Sequence, residues 1–205
     1  MTIEIKNVRD IYNIIANEFD NTRYRPWTCV EEFLNKVTSQ STIGDIGCGN
    51  GKNMLHRKDC TNIGCDFSEA LVSICIKQNL NVISGDILNI PFRDGVFDNT
   101  ICIAVIHHLS TEEKRKKAMS ELLRVTKKNG KILILVWALE QEKGARRTFK
   151  EQHNMVDWKD KKGNILGKRY YYVFKENELE SIVPPEISIE KSFYEKGNWG
   201  VILKK

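Results

Sequence analysis

The sequence predicts an α/β fold organised around a mainly parallel sheet, and three observations carry that expectation. From Thr42 onward, short apolar runs alternate with amphipathic segments of helical spacing. A glycine-rich turn follows the first apolar run. A third run, Ile132-Leu133-Ile134-Leu135-Val136, contains no polar residue and has the character of a strand covered on both faces.

Taken in order, Val8, Ile11, Tyr12, Ile15 and Phe19 recur at helical spacing, and a second helical stripe, Val30, Phe33, Leu34 and Val37, follows Pro26-Trp27. Residues 1–40 are therefore expected as N-terminal helices. Strands are expected at 42–46, 62–65, 81–84, 98–105 and 131–137, with helices from about 51, over 68–78 and over 111–126. Asn129-Gly130 reads as a turn or helix C-cap. Residues 138–168 carry Lys143, Arg146, Arg147, Lys150, Lys159, Lys161, Lys162 and Lys168 with little periodicity. They are expected as a basic insertion with one short helix, on the side of the sheet where a ligand binds. Strand-like sequence returns at Tyr170 to Phe174, a short helix runs through Leu179, and 186–194 with 198–203 form a terminal hairpin that adds an antiparallel strand to the sheet.

The chain has 205 residues, 41% hydrophobic and 29% charged, which suits a single domain over 1–205 and excludes a disordered chain. No apolar run approaches the roughly 20 residues that cross a bilayer. The start, MTIEIKNVRD, has charges where a signal peptide needs apolar residues, so no membrane association and a cytoplasmic location are expected. Cys29, Cys48, Cys60, Cys65, Cys75 and Cys102 form no C-x-x-C pair; buried reduced thiols are expected, and no metal site. The net charge of +5 divides unevenly: residues 1–110 hold 10 basic against 13 acidic side chains, and 111–205 hold 22 against 14. A basic half points to a polyanion such as RNA, with solvated lysine faces as the plainer alternative.

The candidate site begins with Ile43-Gly44-Asp45-Ile46-Gly47-Cys48-Gly49-Asn50-Gly51-Lys52, a strand-to-helix turn in which backbone approaches a ligand. Such a turn alone serves a dinucleotide, a phosphate or nothing. Asp45 discriminates, because its charge repels a pyrophosphate and favours a cationic ligand. Asp66 ends the next strand, 19 residues after Gly47, where a carboxylate accepts from two ribose hydroxyls; capping the following helix is its alternative role. Asp86 follows the third strand and suits an adenine amino group, with Ile87 against the ring, or else is a polar turn residue. Three acids at three successive strand ends, with Gly47, Cys48, Gly49, Asn50, Phe67 and Ile103 beside them, point to S-adenosylmethionine. The fourth strand ends in His107-His108. Alternation along extended backbone predicts one ring in the site and the other away from it, or a His108 that caps the next helix.

These residues resemble the tRNA wobble-uridine carboxymethyl methyltransferases along almost the entire chain. The similarity lies in Asn21-Thr22-Arg23-Tyr24-Arg25-Pro26-Trp27, Asp45 to Lys52, Ile103 to Thr111, Val136 to Gln141, Arg169-Tyr170-Tyr171 and Lys196-Gly197-Asn198-Trp199. The chain departs from the family pattern at Asp157, usually proline, and at Tyr172, often histidine. The resemblance implies a Rossmann-like class I methyltransferase fold with a seven-stranded, mainly parallel sheet and helices on both faces. It also implies methyl esterification of 5-carboxymethyluridine in tRNA and a small zinc-binding activator subunit. The anionic substrate needs no general base, so orientation carries the reaction. Arg23 and Arg169 are expected to contact carboxylate or phosphate and His107 to position the substrate, with Tyr24, Trp27, Trp137 and Tyr170 around the base; core packing is the alternative for each tryptophan. The activator is expected to pair along the Val82-Ile83 sheet edge. A methyltransferase for a small molecule or quinone would show the same cofactor half, and a catalytically silent tRNA-docking subunit is disfavoured by the intact acids and glycines.

Overall fold

The computed structural model describes residues 1–205. Its main sheet has seven strands in the order β3-β2-β1-β4-β5-β9-β8. These are β1 (Thr42–Ile46), β2 (Thr61–Asp66), β3 (Val82–Ser84), β4 (Phe97–Ile103), β5 (Thr126–Trp137), β8 (Ser188–Glu195) and β9 (Asn198–Lys204). The first five pair in parallel, and β9 runs antiparallel between β5 and β8, as the terminal hairpin predicts.

The apolar run of β5 divides between two cores by strand alternation. Ile132, Ile134 and Val136 pack with Ala118, Met119 and Leu122 of α4 (Glu112–Val125), while Leu133 and Leu135 pack with Val30, Phe33 and Leu34 of α2 (Thr28–Asn35). All five are fully buried. Each such side chain contributes about 1.5–3 kcal/mol, so the middle of the molecule is also its most strongly held part. Helix α1 (Asp10–Asp20), entered through a π-helical turn at Ile5–Arg9, packs beside α3 (Glu69–Lys77).

Three expectations are corrected. Residues 51–60 form turns rather than a helix, because the positive φ of Gly47, Gly49 and Gly51 keeps the chain out of helical torsions. Asn129-Gly130 is neither a C-cap nor a strand boundary: it bulges within β5, whose ladder partner jumps from Thr126 opposite Phe97 to Lys131 opposite Asn99. The basic 138–168 segment contains no helix. Its second half forms a hairpin of β6 (His153–Lys159) and β7 (Ile165–Tyr172), a separate two-stranded sheet that takes in Tyr170 and packs on α1. The short helix α5 (Glu178–Ser181) buries Leu179. No helix is long and apolar enough to cross a membrane.

Candidate functional site

At the carboxyl end of β1 the backbone leaves through Gly47, Gly49 and Gly51 at φ of 79°, 58° and 77°. A Cβ on Gly47 would also strike the Val105 side chain, so torsion and space both demand glycine there. The loop is tied down from β2: Gly47 and Cys48 amides donate to the Cys65 carbonyl at 2.7 and 3.1 Å. The Gly49 amide donates to Oδ2 of Asp66 at 2.8 Å, and the Ser68 amide to its Oδ1 at 2.8 Å. Asp66 is not the helix cap; Ser68 caps α3 by accepting from Leu71. With one lone pair of each oxygen engaged, Asp66 keeps acceptor capacity toward the adjoining cavity.

Asp45 is 2% exposed. Its Oδ2 accepts from Asn53 at 3.4 Å and its Oδ1 has no partner. Burial pushes its carboxyl up to about 7, and the negative Asp66 adds to that rise while Asn53 and Lys52 oppose it. An ionised carboxylate so placed is costly until a cation settles nearby. Asp86 accepts at Oδ1 from the Leu88 amide at 2.9 Å, beside buried Ile87.

These strand ends open on a cavity of about 660 Å³. Gly47, Cys48, Gly49, Asn50, Asp66, Phe67, Asp86, Ile87 and Ile103 line it, and so do Arg23, Tyr24, Trp27, His107, Trp137 and Arg169. Asp45 sits behind the loop without lining the cavity. Tyr170 is also absent from the lining: alternation along β7 turns Arg169 and Tyr171 to the cavity and Tyr170 into the core, where its hydroxyl bonds His153 Nδ1 at 2.7 Å. The sequence expectation that Tyr170 faces the site is therefore corrected: Tyr171 lines the cavity and Tyr170 does not.

Both histidines line the cavity and both are buried. Alternation fails because Ala104 takes φ of 62° and Ile106–His108 is a 3-10 turn. Thr111, not His108, caps α4. His107 accepts from the Trp137 amide at Nδ1, 3.0 Å away, so its proton resides on Nε2. His108 donates from Nδ1 to the Tyr170 carbonyl at 2.7 Å and accepts at Nε2 from the Tyr12 hydroxyl at 3.1 Å. Burial keeps both rings neutral, holding His107 well below the usual range with help from His108 and Arg169, and His108 at about 3.

The Tyr12 proton is thus committed to His108. Its oxygen accepts from Nη1 of Arg169 at 3.2 Å and from the Tyr171 hydroxyl at 3.4 Å. Arg169 is 2% exposed, lies over the rings of Trp158, Tyr171 and Tyr12 at 4.7, 5.1 and 5.7 Å, and leaves Nε without a partner. It makes no ion pair. Tyr171 stacks on Trp137 with centroids 4.2 Å apart and planes 7° from parallel. A buried, unpaired guanidinium in an aromatic wall is a receptor for a carboxylate or phosphate. Sequence reading missed Tyr12, Phe19 and Tyr171; the first two lay in a helical stripe indistinguishable from core.

The family model described as a methyltransferase domain matches residues 44–134, from the glycine loop through most of β5. A Schizosaccharomyces pombe protein named tRNA (carboxymethyluridine(34)-5-O)-methyltransferase is 40% identical to the chain over 100% of both. The chain belongs to the tRNA (carboxymethyluridine(34)-5-O)-methyltransferase family. A Xenopus tropicalis relative with the same activity name is 35% identical over 100% of the chain, which spans 41% of that longer protein. The fold is the Rossmann-like class I fold. An S-adenosylmethionine-dependent methyltransferase from Aquifex aeolicus superposes with TM-score 0.63 at 20% identity, over 85% of this chain and 88% of that one. A solved complex of the Haloferax volcanii Trm112 methyltransferase activator with a methyltransferase matches with TM-score 0.57 at 22% identity, over 65% and 61%.

In this family member the Asn21–Trp27 segment is held over the cavity by the glycine loop itself. Asn50 donates from Nδ2 to Asp20 Oδ1 at 2.8 Å and to the Arg23 carbonyl at 3.0 Å. Arg23 lies over the Phe19 ring at 5.1 Å, and Lys52 over Trp27 at 5.5 Å. Tyr24 is 80% exposed, its hydroxyl donating to the Asn21 carbonyl. The glycine loop and the 21–27 segment are thereby one mechanical unit.

Proposed function

We propose that the chain transfers a methyl group from S-adenosylmethionine to the carboxylate of 5-carboxymethyluridine at the tRNA wobble position, giving the 5-methoxycarbonylmethyl ester and S-adenosylhomocysteine. The observation that carries this reading is Arg169: a buried guanidinium without a carboxylate of its own, lining the cavity that Asp66 and Asp86 also line. Membership in the family supports the same substrate.

The residues present suit the methyl donor. Asp45, whose Oδ1 has no partner, would supply negative charge from behind the loop for the sulfonium and amino groups, Asp66 would offer acceptors to the ribose, and Gly47 brings backbone close where a Cβ would strike Val105. The donor contributes an electrophilic methyl. When bound, it would supply that methyl to a carboxylate oxygen of the substrate, with a neutral thioether as the leaving group. The carboxylate, with a reference pKa near ~4, is ionised at neutral pH and needs no proton removed. Arg169 orients it, and Arg23, held over Phe19, stands ready for a second oxygen or a phosphate. His107, neutral with its hydrogen on Nε2, donates rather than accepts. Trp27, Trp137, Tyr24 and Tyr171 offer ring faces for an extruded base.

A zinc-binding activator pairs along β3. This strand is a sheet edge with Ile83 42% exposed, and Ile76 of α3 is 58% exposed beside it. The opposite edge, β8, carries Glu190 and Lys191, charges that discourage pairing there. All six cysteines are free, which suits a cytoplasmic enzyme.

The test is nucleoside mass spectrometry of tRNA carrying 5-carboxymethyluridine, incubated with S-adenosylmethionine and the chain, alone and with the activator. A gain of one methyl on that nucleoside is expected; cofactor binding without any gain under either condition refutes the reading.

A further inference from the structure

A second cleft, of about 610 Å³, adjoins the main cavity and shares Trp27 and Trp137 with it. Its outer wall comes from the irregular stretch before β6 and from the turn between β8 and β9. Arg146, Arg147 and Lys196 line it, and Glu142 and Glu195 stand among them. Neither arginine nor Lys196 makes an ion pair. Phe149 lies 5.8 Å from Trp137, centroid to centroid, and Arg147 lies over the Trp137 ring at 5.8 Å. Asn198, 7% exposed, donates from Nδ2 to the Glu195 and Lys196 carbonyls at 3.1 and 3.0 Å, yet its Oδ1 has no partner.

This combination is specific in its chemistry. Unpaired cations at the rim suit phosphates, aromatic faces suit a base, and a vacant amide oxygen with two carboxylates suits base N–H donors. Arg147 is half-buried, and burial together with the positive Arg169 presses its guanidinium below the ordinary value, so an anion beside it would be welcome. The tryptophan pair common to both spaces makes the cleft a continuation of the cavity.

We infer that this cleft is a subsite for the nucleotide adjoining the methylated uridine, with Arg146 and Lys196 on its phosphates and Phe149 against its base. The inference rests on the proposed RNA substrate and adds to it the path of the chain out of the site. A free nucleoside fills only the first cavity, whereas a strand fills both. Specificity for RNA over the isolated nucleoside thus originates in residues 146–149 and 196–198.

The test compares 5-carboxymethyluridine nucleoside with a trinucleotide bearing it centrally, titrated by tryptophan fluorescence into the full chain with S-adenosylhomocysteine present, without and with the activator. The trinucleotide is expected to bind at least about tenfold more tightly. In the double variant Arg146→Ala, Lys196→Ala the advantage should fall below about threefold, and nucleoside affinity should not change. The slope of log affinity against log salt should lose about 1.4, at roughly 0.7 per phosphate contact on a single strand. Both side chains are exposed, so folding is not at stake, and an unchanged melting temperature checks this. Equal binding of the two probes by the wild type, or an advantage and salt slope retained by the variant, overturns the subsite. Cofactor binding with neither RNA probe bound overturns the proposed substrate as well.

Discussion

The Tyr12 hydroxyl donates to Nε2 of His108 at 3.1 Å and accepts from Nη1 of Arg169 at 3.2 Å. The Tyr170 carbonyl, which can only accept, fixes the tautomer of His108, and the Tyr12 hydroxyl links that ring to the aim of a buried cation. Tyr12→Phe should leave cofactor affinity unchanged, reduce kcat/KM about tenfold, and cost about 1–3 kcal/mol of stability, because it strands two polar groups. Steady-state kinetics with a parallel denaturant titration check this. Equal kinetics for Phe and Tyr would remove Tyr12 from any positioning role.

Arg169→Lys keeps the charge but loses the planar fork and the stacking on Trp158 and Tyr171. We expect kcat/KM to fall by about 10²–10³ with S-adenosylmethionine affinity within twofold of wild type, measured by calorimetry. Arg169→Met, of similar bulk, should be inactive and still folded.

Asp45 gives cofactor binding a pH dependence. With its carboxyl at about 7 in the folded chain, a cationic ligand binds the ionised form, so affinity should rise as pH goes from 6 to 8 and level off above. Below the pKa the slope approaches about tenfold per pH unit. Asp45→Asn should weaken binding and flatten that profile; a slope that survives the substitution would place the titrating group elsewhere.

The two histidines set the acid limit. A base buried neutral, with its folded pKa below the unfolded value of about 6.5, contributes stability above that value, and the contribution is lost as pH falls toward the folded pKa. For His108 the window runs from about 6.5 down to about 3. Asp45 acts oppositely, gaining proton-linked stability as pH falls from about 7 toward 4. Each histidine should lower the unfolding free energy below pH 6 by at most about 1.4 kcal/mol per pH unit, and Asp66, also raised by burial, joins Asp45 in offsetting part of that fall. His108→Gln should shallow the fall, read from chemical denaturation at pH 4.5 to 7.

Ile83→Lys, at the exposed edge of β3, should abolish association with the activator and leave cofactor binding of the isolated chain intact. Analytical ultracentrifugation of the mixture decides; a retained complex would move the interface off this edge.

The glycine loop and the acids at the strand ends were legible because they are local: they lie within about forty residues, and each torsional demand shows in the residue type. The seven-strand sheet was legible for the same reason, since apolar runs of β1, β4 and β5 report their own burial. Elsewhere the decisive fact was long-range. Tyr170 and Tyr171 are equivalent as letters, and only the register of β7 against β6 tells which meets the cavity. Tyr12 read as one more apolar position on a helix until Arg169, far along the chain, gave its hydroxyl a purpose. The 51–60 segment was misread because a glycine loop usually opens a helix, and here positive torsions continue through Gly51.

The Tyr12, His108 and Arg169 contacts also fix a timetable. Tyr12 and Arg169 are 157 residues apart; at roughly 5–20 residues per second of synthesis the hydroxyl waits on the order of 8–30 s for its guanidinium. By the end of that interval β1 to β4 and the glycine loop have also been made, so the loop glycines and Asp66 precede the guanidinium that lines the same cavity. Truncation before β7 would remove Arg169 and, with β9, the strand that pairs along β5, so the Tyr12 hydroxyl gains its guanidinium only after the late strands are made.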